Sequence, residues 1–115
     1  MGTHGDVLKS IYEPTKELRE RTPHTYQGFT DLHRGALEDG ELSGAVKELI
    51  AVAIAVHDGC DGCIAAHVRG PARKGATEQQ FAEALGVALL MGGGPASVNA
   101  PRAWEAFKEF QPQAV

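Results

Sequence analysis

A nearly all-apolar segment at residues 45–56 constrains this chain more than any other feature. Only Lys47 and Glu48 are polar within it. A capping serine before the segment and an Asp-Gly pair after it predict a helix over about 44–57. A helix that is apolar on nearly every side must be buried all round. A chain of 115 residues buries only a modest core, so we expect this helix to lie at the centre of the fold and also against another subunit.

The rest of the chain also divides into helical segments. Aromatic residues are only 6% of the composition and alternating Val, Ile and Thr patterns are absent, which favours helix over strand. The predicted segments cover about 6–20, 23–39, 44–57, 60–74 and 77–91, and a last one ends near 110. Pro14 is expected to end or kink the first segment, and Pro71 to end or bend the fourth. The prediction is an all-α single domain of five to six helices over residues 1–115.

Charge and hydropathy exclude two classes of partner. The net charge is −4, and no run of Lys or Arg exceeds two neighbours, so the basic footprint of a nucleic-acid binder is missing. The longest apolar run, residues 49–56, is far shorter than the roughly 20 residues of a membrane span. No secretory signal is recognisable at the N-terminus. We therefore expect a soluble, cytoplasmic protein that binds neither nucleic acid nor membrane.

The two cysteines form the chemically informative motif. Cys60 and Cys63 lie three residues apart at the predicted start of a helix, so both sulfurs share one face and can close a disulfide. Unsatisfied N–H groups of the first turn stabilise a thiolate there. His67 follows Cys63 by four residues, which brings its imidazole within reach of that sulfur. A cysteine beside a base is an activated nucleophile, and in a reducing compartment such a pair is catalytic or metal-binding rather than a structural disulfide.

Glu48 is the predicted fourth member of the site. If the helices on either side of the break after residue 57 pack antiparallel, Glu48 lies about 3 Å from the level of His67 and about 9 Å from that of Cys63. This predicts a relay in which Glu48 orients or deprotonates His67, and His67 takes the proton of Cys63. A carboxylate in an apolar helix also requires a charged partner or a raised pKa. The alternative is an exposed Lys47–Glu48 edge on an otherwise buried helix.

The spacing of these four residues resembles a known family motif. Glu48, eleven residues, Cys60, two residues, Cys63, three residues and His67 is similar to the core of the carboxymuconolactone decarboxylase-like superfamily, in its cysteine-bearing, alkylhydroperoxidase D-like branch. The likeness runs over about residues 26–110 and includes the Gly-Gly-Gly-Pro break at 92–95. The resemblance implies an all-helical homotrimer or homohexamer that works without a bound cofactor or metal.

The resemblance also implies an activity. A thiol-dependent peroxidase or disulfide oxidoreductase with an antioxidant role would reduce organic hydroperoxides, and a thioredoxin-like or lipoyl protein would supply electrons. Cys63 would attack the peroxide and become a sulfenic acid, Cys60 would resolve it to a disulfide, and Glu48 and His67 would occupy the proton-relay positions. The chain departs from the family pattern at Gly62, where the best-known peroxidases have histidine, and His57 is a candidate to compensate.

Other interpretations of the same residues stay open. The branch without the cysteine pair has decarboxylase activity, so a family protein with another activity is one alternative. The four site residues could surround zinc, or the apolar helices could build a non-enzymatic scaffold oligomer. His4, His24 and His33 are isolated and are predicted to be surface or packing residues. Arg69, Arg73 and Lys74 form a basic side of the fourth helix, which either faces solvent or contacts an acidic substrate or reductant.

Overall fold

Six α-helices account for nearly all of residues 3–111, the part of the chain that the computed structural model describes. In chain order they are α1 His4–Arg21, α2 Pro23–Leu37, α3 Gly44–Asp58, α4 Asp61–Arg73, α5 Glu78–Gly92 and α6 Gly94–Phe110. No strand occurs between residues 3 and 111. The predicted all-α single domain is therefore confirmed.

Local sequence sets where the central helices begin and end. The Ser43 hydroxyl accepts the N–H of Val46 at the start of α3, and Thr77 and Gln80 form a reciprocal capping box at the start of α5. Gly59 ends α3 in the left-handed conformation, with φ 75°, which a residue without Cβ adopts at no steric cost. The chain reverses there, and α4 follows two residues later.

Neither Pro14 nor Pro71 ends its helix, so of the two alternatives predicted for each proline the ending is wrong. Helix α1 continues through Pro14 to Arg21, and α4 continues through Pro71 to Arg73. Proline removes one backbone hydrogen bond inside a helix. Pro14 is exposed, so water can solvate the carbonyl that loses its donor, and Pro71 lies within the last turn of α4.

Helices α3 to α6 form the hydrophobic core. Its largest fully buried side chains are Phe81, Phe107, Ile64, Val52, Val56 and Val68. The rings of Phe81 and Phe107 stack with centroids 4.3 Å apart and join α5 to α6. By contrast, α1 and α2 contain no buried residue, so they lie on the surface of this core.

Helix α3 lies at the centre of the domain but is not buried all round within one chain. It packs against α4, α5 and α6, yet Val46, Ile50 and Ile54 are 42%, 47% and 58% exposed. These three residues are four apart and form one apolar stripe on the helix surface. Among the described helices, none combines the length and hydropathy needed to cross a bilayer.

Candidate functional site

Cys60 begins the candidate site as the N-cap of α4. Its Sγ accepts the backbone N–H of Cys63 at 3.2 Å, in the place where a serine or aspartate oxygen usually caps a helix. Both cysteines are free thiols, with Cys60 exposed and Cys63 half-buried. The predicted pairing of both sulfurs at the start of this helix is present.

The two thiols have different acidities because of this geometry. The thiol of Cys63 and then its backbone N–H donate hydrogen bonds to Cys60 Sγ, and both lower the pKa of Cys60. The same thiol–thiol hydrogen bond, followed by burial and by the charge of Cys60, raises the pKa of Cys63. The exposed Cys60 is therefore the more acidic of the two thiols, and Cys63 keeps its proton more strongly.

His67 lies one turn beyond Cys63 on the same face of α4. Its ring stacks with that of His33 from α2, with centroids 6.2 Å apart and an interplanar angle of 15°. Phe29, one turn before His33 on α2, lies 6.4 Å from the His33 ring. His33 was predicted to be an isolated surface or packing residue. It is exposed, as predicted, but it is not isolated, because α2 brings its ring against that of His67.

Glu48 reaches α4 one turn beyond the predicted level. Its carboxylate lies directly against Gly70, where any Cβ would overlap it, whereas the antiparallel estimate placed Glu48 level with His67. The Cα–Cβ bonds of a helix tilt toward its N-terminus. For α3 that direction leads away from the α3–α4 turn, so the long side chain bypasses His67. Between residues 3 and 111, no direct hydrogen bond or ion pair joins Glu48 to another side chain.

Glu48 faces a cavity that charged side chains also line. Glu48 is only 7% exposed and lines a cavity of about 500 Å³. The same cavity is lined by His33, by a second carboxylate and by three cations, which are Glu38, Arg19, Arg34 and Lys74. Three fixed positive charges and one titratable ring therefore share the cavity with the Glu48 carboxylate. This cavity gives solvent and small molecules a route to the end of the predicted relay.

Two residues of α6 support the turn that carries Cys60, and no sequence motif points to either. Asn99 is 8% exposed, and its Nδ2 donates to the Val56 carbonyl at 3.4 Å. Arg102, one turn further, lies 3.3 Å from Asp61, the first residue of α4. Both contacts span more than 40 residues of sequence, which explains why no local motif predicts them.

The positions around the pair show where a further side chain fits. A Cβ placed on Gly62 would meet only Cys60 Sγ, at 4.0 Å, so the backbone leaves room for a side chain to begin there. His57 is exposed, lies 3.7 Å from the Asp58 carboxylate and faces Gly92 of α5. Among the described contacts, His57 forms no hydrogen bond with Cys60 or Cys63.

The four predicted site residues do not converge on one point. Within residues 3–111, no group of three or more His, Cys, Asp or Glu side chains is arranged to hold a metal ion. Cys60, Cys63 and His67 follow one another on α4, and Glu48 approaches the same helix from α3 at Gly70. The arrangement places two neighbouring thiols at the start of α4 and an imidazole one turn beyond Cys63.

Comparison with known proteins identifies the family. Residues 23–106 match the carboxymuconolactone decarboxylase family. An uncharacterized protein from Cupriavidus necator is 42% identical over 96 residues, which are 84% of this chain and 85% of that protein. An uncharacterized protein of the cox locus in Paracoccus denitrificans is 41% identical over 82 residues, or 71% and 74% of the two chains.

A solved structure has the same fold. The apo crystal structure of a carboxymuconolactone decarboxylase family protein from Legionella pneumophila superposes with a TM-score of 0.91 at 38% identity, and the match covers 95% of this chain and 97% of that one. Six helices in the same arrangement and a family match over most of the sequence lead to one conclusion. The chain belongs to the carboxymuconolactone decarboxylase family.

Proposed function

We propose that this protein is a dithiol oxidoreductase that reduces organic hydroperoxides, and disulfides, through Cys60 and Cys63. The observation that carries the proposal is the proximity of the two cysteines at the N-terminus of α4, where the backbone nitrogen of Cys63 lies 3.2 Å from Cys60 Sγ. Cysteines in a Cys-x-x-Cys pair at a helix start can close a disulfide. Because Cys60 is exposed, a reductant can reach that disulfide from solvent.

The reaction with a hydroperoxide balances as two steps. A cysteine thiolate attacks the O–O bond and becomes a sulfenic acid. The leaving alkoxide takes up the proton that the thiol gave to its base, and departs as the alcohol. The second thiol then condenses with the sulfenic acid, which forms the disulfide and releases water. A dithiol protein or small thiol returns two electrons and two protons by thiol–disulfide exchange.

We assign the attack to Cys63 and the resolving step to Cys60, as the family resemblance implies. Cys63 holds its proton more strongly than an ordinary thiol, because it donates to Cys60 and is half-buried. It therefore needs a base, and His67 on the same face of α4 is the nearest candidate in sequence. The low pKa of Cys60 suits the resolving step, which requires a thiolate.

Glu48 would assist at the other end of the relay. Its carboxylate contacts α4 at Gly70 and faces the cavity that His33 also lines. A proton taken by His67 can pass through His33 or cavity water to Glu48. In this arrangement Glu48 acts through the histidines and is a positioning and proton-accepting residue.

The test is hydroperoxide turnover with a panel of reductants, with sulfenic acid trapped by dimedone. We expect turnover in the wild type, none in Cys63→Ser, and a trapped sulfenic acid on Cys63 in Cys60→Ser. If the sulfenic acid is trapped on Cys60 in Cys63→Ser, and none is trapped in Cys60→Ser, then Cys60 attacks and Cys63 resolves. Failure of every oxidant to remove two thiols per chain would overturn the proposal.

A homo-oligomer is the second part of the proposal. Val87, Leu90 and Met91 of α5 are 58%, 80% and 71% exposed. The α3 stripe of Val46, Ile50 and Ile54 is exposed to a lesser degree. Soluble monomers rarely present such large apolar surfaces. A homotrimer or homohexamer would cover them by symmetric contact.

A further inference from the structure

A second, larger cavity lies apart from the cysteines. It has a volume of about 870 Å³ and is formed by α1, by the C-terminal half of α4 and by Phe110 at the end of α6. Glu48, both cysteines and His67 are absent from its lining. Its size falls within the roughly 300–1,000 Å³ of small-molecule sites.

Apolar side chains make up much of the cavity surface. Leu8, Ile11 and Tyr12 of α1 face Phe110 across it. Ile11 and Tyr12 are 46% and 65% exposed, so large apolar groups remain in contact with water. The groove follows α1 from Leu8 to Arg19, which is about 16 Å along a helix axis. An elongated apolar chain fits such a groove better than a compact ligand does.

The charged residues of the same cavity all have one sign. Five of the 11 Lys and Arg residues of the chain line it, and no Asp or Glu does, although the net charge of the protein is −4. They are Lys9, Lys16, Arg19, Arg69 and Arg73. In the described part of the chain, the ion pairs involve other residues and none of these five.

Arg69 connects the charged and the apolar parts of the cavity. Its guanidinium lies 5.8 Å from the centre of the Phe110 ring, so it stacks above the apolar floor. A planar guanidinium in this position can form two parallel hydrogen bonds with a carboxylate. Gathering five cations in one cavity costs repulsion that a bound anion relieves.

We propose that this cavity binds a single-chain anionic amphiphile, of which a long-chain fatty carboxylate is the simplest form. The acyl chain would lie along α1 against Tyr12 and Phe110, and the carboxylate would be held by Arg69 and Arg73. Arg19 lines both this cavity and the one that contains Glu48, so the bound ligand would end beside the relay. The binding does not depend on the thiol chemistry proposed above.

The test is direct titration of the full-length protein with cis-parinaric acid, whose fluorescence rises in an apolar site, followed by displacement with palmitate. We expect one saturable site per chain. Arg69→Gln/Arg73→Gln should weaken binding by about tenfold or more through lost charge-assisted hydrogen bonds. Arg21→Gln, an exposed arginine on α1 outside the cavity, is the matched control and should leave affinity unchanged.

Three outcomes would overturn the proposal. The first is the absence of saturable binding. The second is displacement of the probe by hexadecanol, which lacks the charge, as effectively as by palmitate. The third is recruitment of the protein to anionic lipid vesicles without binding of the monomeric acid. Tyr12→Ser tests the apolar wall and should weaken binding without disturbing the fold, since the side chain is mostly exposed. The double variant Cys60→Ser/Cys63→Ser should bind the fatty acid with wild-type affinity. A failed redox assay would therefore not contradict the binding proposal.

Discussion

The hydrogen bond between the two thiols sets their acidities, and it can be removed one donor at a time. In Cys63→Ala the backbone N–H still reaches Cys60 Sγ but the thiol donor is gone, so the pKa of Cys60 should rise toward that of an ordinary cysteine. Cys63→Ser keeps a hydroxyl donor and should give a smaller rise. The pH dependence of alkylation by iodoacetamide measures both. An unchanged pKa in Cys63→Ala would show that the helix N-terminus alone stabilises the thiolate.

Gly62 is the residue at which this chain departs from the peroxidases it resembles. The position has room for a side chain and its φ is not positive. We expect Gly62→His to raise kcat/KM for a hydroperoxide by on the order of tenfold, because it adds a general acid–base group beside the pair. Gly62→Ala controls for the lost glycine and should show no gain. Equal rates in the two variants would mean that the histidine has no role in this site.

Gly70 allows α4 to approach the Glu48 carboxylate. In Gly70→Ala the new methyl group would occupy the space of that carboxylate, and we expect a loss of about 1–3 kcal/mol in the free energy of unfolding. Gly86→Ala is the matched control, because Gly86 is an exposed residue of α5 and a Cβ there would meet nothing within 4 Å. The control should gain about 0.5–1 kcal/mol. Urea titration compares them, and equal effects would contradict the close approach of Glu48.

At the scale of the helix, α3 shows how one element serves two surfaces. One side packs Val52 and Val56 into the core of the domain, while Ile50 and Ile54 remain exposed. Burial on all sides was the expectation from composition, but the described chain covers only part of this helix. The exposed stripe is the residue set that a neighbouring subunit would cover.

Ile54→Glu tests whether a subunit covers this stripe. A charge buried without a partner at an interface costs several kcal/mol, so the variant should sediment as a single chain while the wild type sediments as a trimer or hexamer. Its helical circular dichroism should be unchanged, because Ile54 is 58% exposed within the chain. Ser10→Glu, at an exposed site on α1, is the control and should keep the wild-type mass. A monomeric wild type would contradict the proposed assembly.

Across the whole molecule, stability should differ between the core and the two N-terminal helices. No residue of α1 or α2 is buried, whereas α3 to α6 share one core. Amides with few buried contacts open at low free energy, so we expect faster hydrogen exchange in α1 and α2 than in α3 and α4. Mass spectrometry after deuterium labelling checks this. Protection of α2 equal to that of α4 would show that something beyond the described chain covers it.

The N-terminus of α1 is hydrogen-bonded to the C-terminal end of α6, the last helix of the chain. Both carboxylate oxygens of Glu109 accept backbone N–H groups, from His4 at 3.1 Å and from Gly5 at 3.0 Å. A carboxylate is favoured at the positive end of a helix. This contact fixes α1 beside α4 and α6, and so forms one wall of the basic cavity.

Features with causes inside a few residues could be predicted from the sequence. Helix ends at Ser43, Gly59 and Thr77, the position of Cys60 at a helix start and the shared face of Cys63 and His67 all depend on local hydrogen bonds or on the 3.6-residue period. The apolar composition of α3 also predicted its central place. Each of these follows from rules that act within one helix or turn.

Tertiary packing alone decided how the helices meet at the site. Glu48 contacts Gly70 rather than His67 because a side chain leans toward the N-terminus of its own helix. His33 reaches His67 because of where α2 lies on the core. The five cations of the larger cavity are dispersed in the sequence between Lys9 and Arg73 and meet only when α1 packs beside α4. Such contacts depend on the relative placement of whole helices, which local propensity does not encode.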